Sequence, residues 1–254
     1  MELPEYLQYI IIVSVGIFSG FLNTVAGGGS LISMPVLIFL GLPGTVANGT
    51  NRVAILAQNF FAVGGFHSKG VRLPFPYTYY LSIVSLVGGL IGAWLATDIS
   101  DLVFNRILAV VMVLVVISIV AGKKSKSSGG EENLSTSRQV LSTIFFFLLG
   151  IYGGFIQAGI GFLVIALLTH VNNFGLIKIN YIKVFAAILY TGAAVLIFAL
   201  QDKIIWKIGL ILAVGQSIGA WYSSRWSVDK GEKWIKRILV VAVVGMAIKL
   251  WFFN

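Results

Sequence analysis

Hydrophobic residues in this chain form long runs separated by short polar breaks, a pattern typical of a protein that crosses a membrane several times. A helix needs roughly 20 consecutive apolar residues to cross a hydrocarbon core about 30 Å thick. Each half of the chain contains five apolar segments: about 6–26, 30–40, 46–66, 77–96 and 103–121, then about 140–158, 160–170, 181–200, 204–222 and 235–253. The pattern predicts an all-α integral membrane protein, a polytopic helical bundle with a first membrane repeat (1–122), a polar cytoplasmic linker (123–138) and a second membrane repeat (139–254).

The second segment of each half is too short to cross the membrane as a straight helix. Eleven residues at 1.5 Å each extend over about 17 Å. Each segment follows a glycine cluster, Gly27-Gly28-Gly29 in the first half and Gly159-Ile160-Gly161 in the second. The pattern predicts broken or re-entrant helices. In secondary transporters, such helices at matching positions of two halves indicate the binding site.

Short sequences recur in the two halves in the same order. Ile91-Gly92-Ala93-Trp94 recurs 127 residues later as Ile218-Gly219-Ala220-Trp221. Arg106-Ile107-Leu108-Ala109-Val110 recurs 131 residues later as Arg237-Ile238-Leu239-Val240-Val241. Matches that keep both order and distance indicate an internal duplication, so we expect two repeats of about five segments each.

Charge predicts how the repeats are oriented. Only 11% of the residues are charged and 58% are hydrophobic, whereas about a quarter of the residues of a soluble domain are charged. If the linker is cytoplasmic and the second repeat is inverted relative to the first, 13 of the 18 basic residues lie on the cytoplasmic side. We therefore interpret the net charge of +9 as a signal of membrane orientation rather than of nucleic-acid binding, and predict inverted repeats with both termini outside the cytosol.

The first glycine cluster is a candidate anion site that needs no charged side chain. Glycines allow positive φ angles and close approach of the backbone, and they leave N–H groups available. A helix that begins at or just after Ser30 would direct unpaired N–H groups and its positive dipole end into the break. Asn23 and Ser30 could add hydrogen bonds. Close helix packing is the alternative explanation, but three consecutive glycines exceed what packing needs.

A second candidate is Gly49-Thr50-Asn51-Arg52, early in the third segment. An arginine at mid-bilayer costs at least about 2.5–3.5 kcal/mol, so it tends to occur where it meets water, a carbonyl or an anion. The alternative is an arginine that extends to the membrane interface. The repeat partner of Arg52 is Lys183, and two cations related in this way would face a shared cavity. Lys183 is equally well explained as an interfacial charge.

Several kinds of chemistry are disfavoured. The chain has no cysteine and two histidines, and all nine carboxylates fall in loops or near segment ends. This argues against metal and cofactor sites, carboxylate proton relays and hydrolytic catalysis. The spacings Gly88-x-x-x-Gly92 and Gly215-x-x-x-Gly219 predict close helix packing.

Specific residues also resemble a known family. The sequence Asn-x-x-Ala-Gly-Gly-Gly-Ser is followed by a proline, a Gly-Leu-Pro turn, an alanine and Thr-Asn; these are Asn23 to Ser30, Pro35, Gly41-Leu42-Pro43, Ala47 and Thr50-Asn51. The pattern resembles the start of the TauE/SafE sulfite exporter family of anion permeases, and Gln157-Ala158-Gly159-Ile160-Gly161-Phe162 is similar to that family's second half. The resemblance covers essentially the whole chain. It implies export or uptake of sulfite, sulfoacetate or related sulfur oxyanions and organosulfonates. The second half departs from the first because it lacks a glycine triplet and any proline.

The sequence thus predicts a multi-pass secondary transporter of the cell membrane that moves a small anion by alternating access and has no enzymatic activity, cofactor or metal. A passive anion channel with the same lining, or less favourably a membrane enzyme, is the alternative. The predicted partners are a small anionic solute and the lipid bilayer, with no nucleic acid and no particular oligomeric state. The predicted substrate-binding residues are Asn23, Gly27, Gly28, Gly29, Ser30, Thr50, Asn51, Arg52, Gln157, Gly159, Gly161 and Lys183.

Overall fold

The computed structural model describes residues 4–121 and 132–229, and within these two ranges the chain is built from nine α-helices. The helices are α1 (Glu5–Val25), α2 (Ser30–Phe39), α3 (Gly44–Ser68), α4 (Tyr77–Thr97), α5 (Asp101–Ala121), α6 (Thr136–Phe155), α7 (Ile160–Asn172), α8 (Leu176–Leu200) and α9 (Trp206–Asp229). The predicted tenth segment (about 235–253), most of the linker and the repeat copy at 237–241 lie outside the described residues.

Four of the described helices, α1, α4, α6 and α8, are long and apolar enough to cross a bilayer. Helices α2 and α7 have only 10 and 13 residues, as the two short segments predict. Helices α3 and α9 are as long as the spanning helices but carry buried polar side chains. The prediction of an all-α polytopic membrane protein is confirmed.

The two small-residue motifs bring helices of different halves into direct contact. A Cβ atom added to Gly92 of α4 would lie 1.9 Å from the carbonyl oxygen of Ile151 in α6. A Cβ atom added to Gly219 of α9 would lie 2.0 Å from the carbonyl oxygen of Ile17 in α1. The glycines one turn earlier in each motif make the same approach. The packing role predicted for both motifs is therefore confirmed.

Corresponding helices of the two halves occupy corresponding places in the bundle. Helix α1 packs along α9, and its counterpart α6 packs along α4. Helix α3 packs against α9 and α8, while α8 packs against α4 and α3. Each half thus completes its core with helices from the other half. The inverted orientation of the repeats and the boundaries proposed for them stay predictions.

Helix α3 is the most polar element of this interior. It carries Asn48, Asn51, Arg52, Gln58 and Asn59, each with at most 2% of its surface exposed. Polar groups within a membrane protein are costly unless they are paired or face a solute path. We therefore expect the binding site in the centre of the bundle rather than on its lipid-facing surface.

Candidate functional site

Two breaks in the helices lie at the predicted positions. Helix α1 ends at Val25 and α2 begins at Ser30, whereas α6 ends at Phe155 and α7 begins at Ile160. Left-handed backbone angles produce both breaks, with φ of +81° at Gly27, +73° at Gly159 and +58° at Gln157. Glycine adopts this conformation without steric cost, whereas glutamine rarely does. The predicted interruption of both helices is confirmed.

The two breaks touch each other in the interior. A Cβ atom added to Gly27 would lie 2.1 Å from the Cα atom of Gly161, and one added to Gly161 would lie 2.2 Å from the Cα atom of Gly27. Only two glycines allow this contact, because it joins backbone directly to backbone. The chain therefore brings the start of α2 and the start of α7, which belong to different halves, to one place.

Backbone donors remain available at both breaks. The N–H groups of Gly28, Gly29 and Ser30 donate to no acceptor among the described residues, and neither do those of Gly159 and Gly161. The buried hydroxyl of Ser30 also lacks a partner there. These donors lie at the positive dipole ends of α2 and α7, an arrangement that favours a negatively charged ligand.

Arg52 is fully buried, so its side chain does not extend to the surface of the protein. Its Nη1 atom donates to the carbonyl oxygen of Gly153 at 2.8 Å, and its Nη2 atom donates to that of Gly154 at 2.6 Å. A longer bond of 3.4 Å joins Nη1 to Oε1 of Gln157, and the guanidinium lies 5.0 Å from the ring centre of Phe198. The Nε atom has no partner in the described part of the chain. Arg52 therefore binds the C-terminal end of α6.

Lys183 plays the matching part at the end of α1. Its Nζ atom donates to the carbonyl oxygens of Asn23 and Thr24 at 3.0 and 2.9 Å, and to Oδ1 of Asn180 at 2.8 Å. Only 5% of the residue is exposed, so the Lys183 side chain does not extend to the surface of the protein. The last carbonyls of a helix have no partner within it, and Lys183 supplies one from α8.

Two asparagines complete this pattern. The side-chain amide of Asn48 in α3 donates to the carbonyl oxygen of Phe155 at 2.8 Å. The amide of Asn180 in α8 donates to that of Val25 at 3.1 Å. Each broken helix is thus capped at its C-terminal end by an asparagine and a cation from the other half.

A small cavity lies beside the contact between the breaks. It is lined by Asn23, Asn59, Gln157, Ile160, Gly161, Lys183, Val184, Ala187 and Tyr190. Its volume of about 10 Å³ leaves room for about one water molecule. Five of the twelve predicted site residues, Gly27 included through its contact with Gly161, are brought together here. Within the cavity wall, Nε2 of Gln157 also donates to Oγ1 of Thr191 at 3.0 Å.

Asn59 and Tyr190 belong to this cavity but were not among the predicted site residues. Asn59 is 2% exposed, and its Nδ2 atom has no partner in the ranges that the structure describes. The two residues are 131 positions apart, the same spacing that relates Arg52 to Lys183. This shared spacing of polar residues within apolar segments is the sequence signal that could have identified Asn59 and Tyr190 as site residues.

Thr50 and Asn51 lie on other sides of α3. The Oγ1 atom of Thr50 accepts a bond of 3.0 Å from the backbone N–H of Ile205, next to the start of α9. Oδ1 of Asn51 accepts bonds from the Ser33 hydroxyl at 2.8 Å and from Nε2 of Gln216 at 3.2 Å. These residues connect α3 to α2 and α9 rather than line the cavity. Their role as ligands stays a prediction.

Known proteins establish the family. A profile of the sulfite exporter TauE/SafE family matches residues 12–250, which is nearly the whole chain. The chain belongs to the TauE/SafE family. The match spans both helix breaks and all the residues that cap them, so the resemblance seen in the sequence motifs is confirmed.

Curated relatives of this TauE/SafE protein carry transporter names. "Probable membrane transporter protein ORF9" of Sinorhizobium sp is 28% identical over 233 residues, covering 91% of this chain and 88% of the relative. A "Probable membrane transporter protein" of Haemophilus influenzae is 25% identical over 253 residues, covering 95% and 96%. "Probable membrane transporter protein YfcA" of Escherichia coli K12 is 27% identical over 244 residues, covering 94% and 87%. No solved structure matches.

The family, the relatives and the apolar helices agree on the class of protein. The TauE/SafE protein is a multi-pass membrane transporter. Family and relatives describe transporters rather than enzymes, in line with the absence of a catalytic constellation from the sequence motifs.

Proposed function

We propose that this transporter carries a small anion, such as sulfite, sulfoacetate or another sulfur oxyanion or organosulfonate, across the cell membrane by alternating access. One observation carries the proposal. The breaks of the two halves meet at Gly27 and Gly161, and the unpartnered N–H groups that begin α2 and α7 lie beside this contact. Such donors, aligned with two helix dipoles, bind anions without a charged side chain.

Two buried cations strengthen the preference for an anion. Arg52 and Lys183 donate hydrogen bonds to neutral carbonyl and amide oxygens, and Arg52 forms no ion pair with a carboxylate among the described residues. Neutral oxygens accept the hydrogen bonds of both Nη atoms of Arg52, but they do not neutralise its positive charge in a region of low dielectric constant. An anion that enters the neighbouring cavity lowers the energy of this charge.

Side chains around the cavity supply the remaining contacts. Asn23, Gln157 and Lys183 come from the predicted set, and Asn59 and Tyr190 add an amide and a hydroxyl. The Nδ2 atom of Asn59 is buried without a partner in the described ranges, so it is a donor ready for a ligand. Several neutral donors around one anion replace its lost water shell.

The size of the cavity favours a carrier over a passive channel. Room for about one water molecule is too little for a sulfur oxyanion, so the cavity must widen before it holds the solute. In carriers built from two repeats, rocking of one repeat against the other produces this opening on alternate sides. A channel instead keeps a continuous conducting path while it is open.

Flux through purified protein in liposomes tests the proposal. Sulfite, sulfate, thiosulfate and sulfoacetate are compared with chloride and acetate. We expect saturable flux for at least one sulfur anion. Ohmic single-channel currents would favour the channel, and the absence of flux for every anion would contradict the proposed function.

The matched variants are Gln157→Glu and Gln201→Glu. Gln157 lies between Arg52 and the cavity, whereas Gln201 is an exposed residue after α8. A carboxylate at position 157 pairs with Arg52 and repels the substrate, so we expect flux to fall at least about tenfold. Gln201→Glu should transport normally. Normal flux in a folded Gln157→Glu protein would remove position 157 from the site.

A further inference from the structure

The end of α1 forms a compact site for a cation. Carbonyl oxygens of Asn23 and Thr24 and Oδ1 of Asn180 surround the Lys183 ammonium at 3.0, 2.9 and 2.8 Å. All three acceptors are neutral oxygens. In secondary transporters with discontinuous helices, the carbonyls at such helix ends coordinate the coupling ion, for example Na⁺. Here a side chain of the protein itself occupies the position.

The oxygen ligands are held in place before any cation is considered. The Nδ2 atom of Asn180 donates to the carbonyl oxygen of Val25 at 3.1 Å, so its Oδ1 atom faces the ammonium. Asn180 is 1% exposed and Thr24 is fully buried. The Thr24 hydroxyl donates back to the carbonyl oxygen of Gly20 at 3.0 Å, which fixes the last turn of α1. The oxygens of this site therefore persist when the Lys183 side chain is shortened.

The second half repeats the arrangement with a different cation. The Arg52 guanidinium binds the carbonyl oxygens of Gly153 and Gly154 at the end of α6, and Asn48 caps the next carbonyl. Asn48 and Asn180 are 132 positions apart, and Arg52 and Lys183 are 131 apart. Because the same arrangement occurs at both helix ends, a chance contact between Lys183 and the end of α1 is a poor explanation.

We propose that Lys183 and Arg52 are tethered cations that fill the two carbonyl sites where an ion-coupled carrier with broken helices binds Na⁺. Anion transport by this protein therefore requires no Na⁺. When the Lys183 side chain is removed, the site at the end of α1 becomes a binding site for a free monovalent cation. Ammonium is the best probe because it has the same N–H donors as the lysine head group. The flux part of this inference rests on the proposed function, and the binding part does not.

Thermal unfolding of purified Lys183→Ala tests the binding part without any transport measurement. The protein is heated in choline chloride, NaCl, KCl and NH₄Cl at equal ionic strength. We expect Lys183→Ala to unfold at a lower temperature than the wild type in choline, and ammonium to raise its Tm by about 2–4 °C. Wild type and Lys207→Ala, which removes an exposed lysine, should respond equally to all four salts.

Lys183→Ser is the second variant, because serine leaves nearly the same space for a free cation as alanine does. A cation-specific rise in Tm for either variant supports the inference. If neither variant gains stability from ammonium, K⁺ or Na⁺, or neither folds in any of these salts, Lys183 is an ordinary helix cap and the inference is wrong.

Flux with Na⁺ replaced by choline on both sides of the membrane tests the second part. We expect wild-type anion flux to change less than about twofold. A loss of more than about tenfold that Na⁺ restores would overturn the inference and leave the proposed anion carrier intact. Absence of flux for every anion would instead contradict the proposed function, and thermal unfolding would then decide the inference alone.

Discussion

The two helix breaks both contain left-handed backbone, but they differ in the number of left-handed residues and in the side chains that they contribute. The first break has three consecutive glycines, and its left-handed residue is Gly27 at φ +81°. The second has two left-handed residues, Gln157 at +58° and Gly159 at +73°. Gln157 links Arg52 to Thr191 and lines the cavity, whereas none of residues 26–29 of the first break lines it. The two halves thus interrupt their helices at corresponding places but contribute different side chains there.

The capping cations differ in the same way. Arg52 spans two carbonyl oxygens with two nitrogen atoms and contacts Gln157 as well. Lys183 directs one nitrogen atom at three oxygens. A planar guanidinium and a compact ammonium require different arrangements of acceptors. The helix end in each half is therefore matched to its own cation. We expect a protein in which Arg52 and Lys183 are exchanged to be less stable than the wild type and to transport poorly.

The largest effect is expected where the breaks touch. Gly27→Ala combines a left-handed conformation, which costs about 1–2 kcal/mol, with overpacking against Gly161, which costs about 1–3 kcal/mol. Gly161→Ala carries only the overpacking cost. Denaturation in detergent should therefore show that Gly27→Ala is less stable than Gly161→Ala and the wild type. We also expect Gly27→Ala to lose its transport activity.

Gly70→Ala is the matched control for this contact. Gly70 also has a positive φ, +74°, but nothing lies within 4 Å of a Cβ atom added there. The free energy of unfolding of Gly70→Ala should fall only by the cost of the left-handed conformation, about 1–2 kcal/mol. Equal stabilities for Gly27→Ala and Gly70→Ala would show that the two breaks do not touch in the folded protein.

A smaller effect is expected from exchanging the cations. In Arg52→Lys, one ammonium replaces a fork that binds two carbonyls, so at least one charge-assisted hydrogen bond, worth about 1.5–3 kcal/mol, is lost. In Lys183→Arg, the larger head group overpacks a site made for one nitrogen, at about 1–3 kcal/mol. Free energies of unfolding and anion flux are measured for both.

The double variant Arg52→Lys with Lys183→Arg sharpens this test. If each helix end is matched to its own cation, the two losses should add and transport should not recover. Lys207→Arg, at an exposed ion pair with Glu5, should change nothing measurable. Recovery in the double variant would mean that the two halves are interchangeable.

Most of the architecture could be predicted from the hydrophobic pattern. The start of α2 at Ser30 was predicted because the glycine triplet ends there. The hydrophobic pattern predicts the end of α6 at about residue 158, but the helix stops at Phe155. The cause is the left-handed backbone of Gln157, a conformation that a glutamine in an apolar run does not indicate.

The site could be predicted only in part, because its contacts join distant parts of the chain. Glycines and buried cations are visible as unusual residues in apolar segments, so Gly27, Gly161, Arg52 and Lys183 were identified. The acceptors of the two cations are backbone carbonyls more than 100 residues away, and a backbone carbonyl has no sequence signature. Thr50 lies two residues before Arg52, but such residues of a helix face different directions, so Thr50 contacts Ile205 rather than the cavity and its role as a ligand stays a prediction.

The smallest effect is expected at Tyr190, whose hydroxyl can be removed without disturbing its ring. Tyr190 lines the cavity and is 5% exposed, whereas Tyr79 of α4 is 50% exposed. If the Tyr190 hydroxyl donates to the anion, Tyr190→Phe loses one hydrogen bond of about 0.5–1.5 kcal/mol, and the half-saturating anion concentration rises about 2–12-fold. Tyr79→Phe should leave it unchanged and should unfold like the wild type. An unchanged half-saturating concentration in Tyr190→Phe would mean that the anion binds only at the backbone donors and amide side chains.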